Sequence, residues 1–152
     1  MAIHAVARAG SLAGKDVLVN GAGPIGALLV AAARRAGAAS VIASDLSETS
    51  LAIAKRMRAD GVVLVGSGAQ LPEADVAFEA AGAARVLGGV LAAVRRGGVV
   101  VQVGNLPAGP VTAELAALVF REVDYRGGPS ASRTNWMRPS RTWRMGWTLS
   151  RC

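Results

Sequence analysis

Gly21, Gly23 and Gly26 follow directly on the apolar run Val17, Leu18 and Val19, and an acidic residue, Asp45, ends the next apolar run. A lone Gly-x-Gly-x-x-Gly is a weak signal. Here a hydrophobic strand enters it, a helix opening on Pro24 and Ile25 leaves it, and Asp45 lies 19 residues beyond Gly26. That context assigns each glycine a task in binding a dinucleotide. Gly21 permits the tight turn, Gly23 lets the backbone approach a pyrophosphate, and Gly26 lets the helix pack closely on the strand. The helix N-terminus adds free N–H groups and a positive dipole end. A carboxylate at Asp45 would accept hydrogen bonds from the adenosine ribose hydroxyls and repel a 2′-phosphate, which favours NAD over NADP. Two plainer readings stay open: an ordinary strand-to-helix turn for the glycines, and a helix-capping role alone for Asp45.

The elements that must hold these residues alternate along the chain. A helix is expected over residues 3–9, a strand over 16–20, and a helix from Pro24 to Arg35 that Gly37 stops. A second strand over 40–44 ends on Asp45, and Ser47 is placed to cap a helix running from Glu48 to about Met57. Strands over 61–65 and 76–78, a helix over 83–94, a strand over 99–103 launched by Gly97 and Gly98, a helix over 112–118 and a strand over 123–125 follow. Strands alternating with helices at this spacing imply right-handed βαβ units. The expected fold is α/β: a single-domain, Rossmann-type, doubly wound parallel sheet. Ligands bind such sheets at the carboxyl ends of the strands. Glu79 to Gly82, ending the fourth strand, and Val103 to Asn105, ending the fifth, are therefore expected to flank the nicotinamide, with Ala80, Gly82, Val103 and Gly104 as its binding residues; loops with no ligand role would read the same way. His4 is expected to pack within its helix rather than to bind a ligand.

Composition narrows the class further. The chain is 152 residues long, 52% hydrophobic and 18% charged, enough for one globular domain with a sizeable core. The most apolar helix candidate, residues 24–33, stops at Arg34 and Arg35, at about half the ~20 residues a bilayer needs. Residues 1–10 carry no basic region ahead of a long apolar stretch, which argues against a secretory signal. The single cysteine, Cys152, cannot form an internal disulfide, and a cytoplasmic protein is expected. The net charge of +7 is mostly a property of the end of the chain. Arg133, Arg138, Arg141, Arg144 and Arg151 lie there without a single acid, so nucleic-acid and membrane partners are not expected.

The stretch GKDVLVNGAGPIG at 14–26 resembles the cofactor domain of the zinc-type medium-chain alcohol dehydrogenases, and ADVAFEAAG at 74–82 and GGVVVQVG at 97–104 resemble that family's fourth and fifth strands. The polyol branch, with sorbitol and L-idonate 5-dehydrogenases, is the most similar. The resemblance implies hydride transfer between a secondary alcohol and NAD. The substrate would be a small alcohol or sugar acid, and the enzyme a possible homo-oligomer. It also implies a catalytic zinc in a separate GroES-like domain for which these residues show no counterpart. No catalytic or metal-binding residue is expected in this chain, which is expected to bind cofactor without oxidising an alcohol. Two positions depart from the family. Arg58 stands where a glycine usually ends the helix, and Ser50 where an arginine often lies near the adenine. The alternatives are a non-catalytic NAD-sensing regulatory module and a methyltransferase using S-adenosylmethionine.

On this reading residues 1–13 are a residual interdomain segment, 14–126 the NAD-binding domain, and 127–152 a tail of different character. Trp136, Trp143, Trp147 and Cys152 all fall in the tail. Regrouping its codons by one base turns the Trp136–Met137 junction into Asp, Met145–Gly146 into Gly and Trp147–Thr148 into Asp, whatever the codons used. The tail is therefore expected to be a frame-shifted version of the family's acidic C-terminal segment, with a disordered basic tail as the alternative.

Overall fold

The structure, a computed structural model, describes residues 1–128; the expectations for the Trp- and Arg-rich stretch from 129 onward lie outside the described residues. Six strands form one sheet in the order β3-β2-β1-β4-β5-β6, every neighbouring pair parallel. They are β1 (Asp16–Asn20), β2 (Ser40–Asp45), β3 (Gly61–Leu64), β4 (Ala74–Glu79), β5 (Val94–Gln102) and β6 (Asp124–Gly127). The connecting helices are α1 (Ala2–Ala9), α2 (Pro24–Arg35), α3 (Glu48–Arg56), α4 (Ala84–Ala93) and α5 (Ala116–Phe120). This is the doubly wound Rossmann architecture, and its strand order reverses between β1 and β4.

The runs of Val and Ala in β1, β4 and β5 are buried because helices cover both faces of the sheet. On one face Leu29, Val30 and Ala33 of α2 and Leu51 and Ala54 of α3 meet Val17, Val19, Val41, Val76, Phe78 and Val101. On the other, Leu87, Val90 and Leu91 of α4 meet Leu18, Ala77 and Val100. Ala2, Ala5 and Ala9 of α1, with Leu12, belong to the first core, and α1 packs on α2. Arg8 and Arg126 tie α1 to β6: Arg126 donates to the Arg8 carbonyl at 3.0 Å and Arg8 to the Gly127 carbonyl at 3.2 Å.

Three local features differ from the sequence expectation. The strand expected from Val99 begins at Val94, and its pairing with β4 shifts register between Ala74 and Val76. Gly97, at φ 73°, lets the chain kink within the strand instead of before it. The helix expected over 112–118 forms only from Ala116. Residues 111–115 run without regular structure, Ala113 packing on the second core and Glu114 lying against Gly88 of α4. His4 is exposed rather than packed. Arg58, which stands where a glycine usually ends the helix, adopts φ 75°, a left-handed conformation that glycine would take without strain. Val119 and Phe120 leave 77% and 78% of their surface in solvent, so α5 covers the sheet with little of its apolar area.

Candidate cofactor site

β1 delivers the chain to Gly21, whose N–H donates to the Ser44 carbonyl at 2.8 Å and whose φ of 92° makes the turn. A Cβ on Gly21 would lie 2.5 Å from the Ala81 nitrogen, and one on Gly26 would lie 1.8 Å from the Gly21 carbonyl oxygen. Both glycines are therefore required by close backbone packing. Gly23 is different: a Cβ there would meet nothing within 4 Å. The space above Gly23 is open, and Gly23 is also the N-cap of α2, an end that no side chain caps and that Pro24 opens. N–H groups of a first turn without a side-chain acceptor, beside open space, are what a pyrophosphate needs. Ile25 is half-buried in that first turn.

Asp45 is half-buried at the end of β2. Its Oδ2 accepts from Ala22 N–H at 2.7 Å, inside the glycine turn, and its Oδ1 from Ser47 N–H at 2.8 Å. The cap of α3 is Ser47, whose hydroxyl accepts from Ser50 N–H at 3.3 Å, as its position in the sequence suggests. Asp45 thus braces the glycine turn and the α3 entry together. Each of its oxygens still has a lone pair free for a hydroxyl donor.

Asp45 lines a cleft of about 190 Å³. Gly21, Leu46 and Val65 join it on one side, with Ala81, Ala83, Arg85 and Val86 facing them across the β1–β4 reversal. The residues expected beside the nicotinamide sit differently. Ala81, not Ala80 or Gly82, lines this cleft. Gly82 and Gly104 press backbone to backbone: a Cβ on Gly104 would lie 2.4 Å from the Gly82 nitrogen, and one on Gly82 would lie 2.5 Å from the Asn105 carbonyl oxygen. Val103 is buried in the core. The 80–82 turn is therefore held between Gly21 and Gly104, and the ends of β1, β4 and β5 converge on it.

The sequence reading set Glu79 with the residues flanking the nicotinamide and missed the network that lies beneath the turn. Glu79 is fully buried, and every neighbour within hydrogen-bond range donates to it. Its Oε1 accepts from Ala81 N–H at 2.9 Å, Gly82 N–H at 3.1 Å and the Asn20 amide at 3.3 Å, and its Oε2 accepts from the Gln102 amide. Behind Asn20 the Ser44 hydroxyl donates to Oδ1 at 2.9 Å, and behind Gln102 the Tyr125 hydroxyl donates to Oε1 at 2.8 Å. One polar side chain from each of β2, β1, β4, β5 and β6 thus forms a line under the site, with its hydrogen bonds pointing inward to Glu79. Burial, and then the Glu79 charge, hold the Tyr125 hydroxyl above its ordinary pKa. The signal was present in the sequence: Asn20, Glu79 and Gln102 are polar residues at the carboxyl ends of otherwise apolar runs.

A βαβ glycine turn, an uncapped helix end and an acidic residue closing the second strand define a Rossmann-type dinucleotide fold. Comparison with known proteins narrows the class. A profile described as zinc-binding dehydrogenase matches residues 24–140. The chain is 38% identical over 135 residues to the L-idonate 5-dehydrogenase (NAD(P)(+)) of Escherichia coli K12, covering 84% of this chain and 38% of that protein. It is 37% identical to human sorbitol dehydrogenase over 136 residues, covering 82% of this chain and 38% of that one. Among solved structures, E. coli L-idonate 5-dehydrogenase superposes with a TM-score of 0.78 at 35% identity, over 84% of this chain and 38% of that one. A zinc-binding dehydrogenase from Sinorhizobium meliloti bound to NADP gives 0.77 at 32% identity, over 84% and 41%.

The chain belongs to the zinc-binding dehydrogenase family, as the motifs at 14–26, 74–82 and 97–104 imply. It is homologous to L-idonate 5-dehydrogenase and sorbitol dehydrogenase and spans about 38% of the length of these curated relatives.

Proposed function

We propose that this chain is the nicotinamide-dinucleotide-binding part of a polyol or sugar-acid dehydrogenase and that it binds NAD(H) on its own without turnover. The carrying observation is the contrast among the three glycines: backbone fills the Cβ positions of Gly21 and Gly26, while Gly23 faces open space at an uncapped helix end. A pyrophosphate fits there, bound by the N–H groups of the first turn of α2. Asp45 takes the ribose hydroxyls with the lone pairs that Ala22 and Ser47 leave free. Leu46, Val65 and Val86 offer apolar surface to the adenine. Ala80, Gly82, Val103 and Gly104 then stand on the nicotinamide side of the reversal as the backbone frame of that half-site.

The E. coli relative is named for NAD(P)(+) and the S. meliloti structure holds NADP, so relatives support either dinucleotide; the Asp45 carboxylate argues for NAD. In the whole enzyme, hydride passes between a secondary alcohol and the nicotinamide, with a zinc ion supplying Lewis acidity. Among the described residues no three His, Cys, Asp or Glu gather as a zinc site requires, and no chemical step is assigned to this chain. A cytoplasmic homo-oligomer belongs to the same reading. No helix among the described residues is long and apolar enough to cross a membrane.

Calorimetric titration with NADH, ADP-ribose and S-adenosylmethionine, and with NADPH for the comparison of dinucleotides, tests the proposal. Saturable binding of the first two, weakened for NADH by Asp45→Ala more than for NADPH, is expected. Tight methyl-donor binding without NADH binding would refute the reading, and equal losses for both dinucleotides would remove Asp45 from the ribose site.

A further inference from the structure

Arg85 lies at the second position of α4, on the wall of the cleft opposite Asp45. Two observations bear on its role. Like Arg8, Arg35, Arg56, Arg58 and Arg121, and unlike Arg34, Arg95, Arg96 and Arg126, it reaches no carboxylate among the described residues, and of those without one it is the arginine that lines this cleft. It also sits at the positive end of the α4 dipole, where a cation is unfavourable and where Ala83 provides no side-chain cap. Its position therefore gains nothing from the helix and nothing from a carboxylate among the described residues. What it faces is the slot in which Asp45 would meet a ribose.

We infer that Arg85 is a second determinant of cofactor choice, one that admits a 2′-phosphate beside Asp45 and so lets the site take NADP(H) as well as NAD(H). The inference rests on the dinucleotide reading and deepens it. Arg85 and Asp45 line the same cleft, so a guanidinium and a carboxylate both border the space that a ribose edge would enter. Asp45 accepts from a 2′-hydroxyl and repels a 2′-phosphate. Arg85 donates to phosphate oxygens with a planar fork and has little to offer a hydroxyl that Asp45 already holds. Arg85 is exposed, so it can pair with a phosphate without a large desolvation cost, and it can withdraw to solvent when NAD occupies the slot.

The test is fluorescence titration of the full chain with NADH and NADPH, alongside Arg85→Gln and Arg85→Lys. The wild-type chain is expected to bind both dinucleotides, NADH the tighter by about tenfold or less. In Arg85→Gln the NADPH-to-NADH affinity ratio falls by about tenfold or more, as expected for loss of a charge-assisted contact, and Arg85→Lys restores part of it. Raising the salt concentration weakens NADPH binding in the wild-type chain more than in Arg85→Gln, because it screens the same contact. An unchanged ratio in Arg85→Gln, or a wild-type chain that takes NADH and excludes NADPH, overturns the inference and leaves the dinucleotide reading standing. A wild-type chain that binds neither overturns both.

Discussion

Replacing Glu79 by Gln keeps the shape of the side chain and turns one acceptor into a donor. The carboxylate is buried to 0% exposure and meets donors at both oxygens: Ala81 N–H, Gly82 N–H and the Asn20 amide at Oε1, and the Gln102 amide and the same Gly82 N–H, at 3.2 Å, at Oε2. Wherever the new NH₂ points, it faces at least one of them. The less costly orientation puts it toward Gln102, which cannot turn over freely because its Nε2 also donates to the Gly104 carbonyl at 2.8 Å. The Gln102 contact is therefore lost with one pair of donors opposed, and Gly82 N–H keeps only its Oε1 acceptor, which together cost about 2 kcal/mol. For a domain of this size that is a fall of about 6 °C in Tm. Urea denaturation followed by circular dichroism measures it, with Glu122→Gln as the matched control. Glu122 carries the same chemical group in an exposed pair with Arg96, and its loss should change stability by less than about 0.5 kcal/mol. Because Glu79 also fixes the 80–82 turn, its Gln variant should bind NADH more weakly at a temperature where the variant is fully folded. Equal stability of the two variants, or a Glu79→Gln chain with unchanged stability, would refute the argument that the inward-pointing network needs a carboxylate at its centre.

Further outcomes follow from the same geometry. Gly23→Ala should fold as the wild type does, since its Cβ meets nothing within 4 Å, yet lose about tenfold or more in dinucleotide affinity. Gly26→Ala, with a Cβ 1.8 Å from a carbonyl oxygen, should be unstable or insoluble; thermal melts and titration of both variants decide this. Arg58→Gly relieves a left-handed φ of 75° and should raise stability by about 0.5–1 kcal/mol in urea denaturation; a loss would mean that the side chain contributes more than the strain removes. The Asp16 carboxyl, held first by the Ser40 hydroxyl at 2.7 Å and then by Arg95, is lowered below its ordinary pKa of 3.8. Its stabilising effect is therefore full above about pH 4 and lost as the pH falls through the lowered value. Ser40→Ala should move that titration upward in carbon-detected NMR, and an unmoved midpoint would assign the shift elsewhere.

The sequence by itself determined the local elements and their order. The strand into Gly21, the helix out of it, Asp45 at the next strand end and the Ser47 cap all depend on neighbours within a few residues, and all stand where pattern and turn chemistry place them. The places of Asp45 and the glycines, at a strand end and in a strand-to-helix turn, were legible because both follow from local spacing. Where a segment's neighbours lie far away in sequence, the reading failed. The helix expected over 112–118 lost its first turn because Ala113 and Glu114 pack on α4, and β5 began early because Val94 found Ala74 across the sheet. Only the tertiary structure could decide the line of Ser44, Asn20, Glu79, Gln102 and Tyr125, which joins residues from five strands. It also decided that Gly104 is a glycine because of Gly82, that Gly82 is one because of Asn105, and that Arg85 and Asp45 line one cleft. A parallel sheet sets side by side strand ends that are tens of residues apart in the chain. Their lateral chemistry leaves no period in the sequence, only polar residues where apolar runs stop.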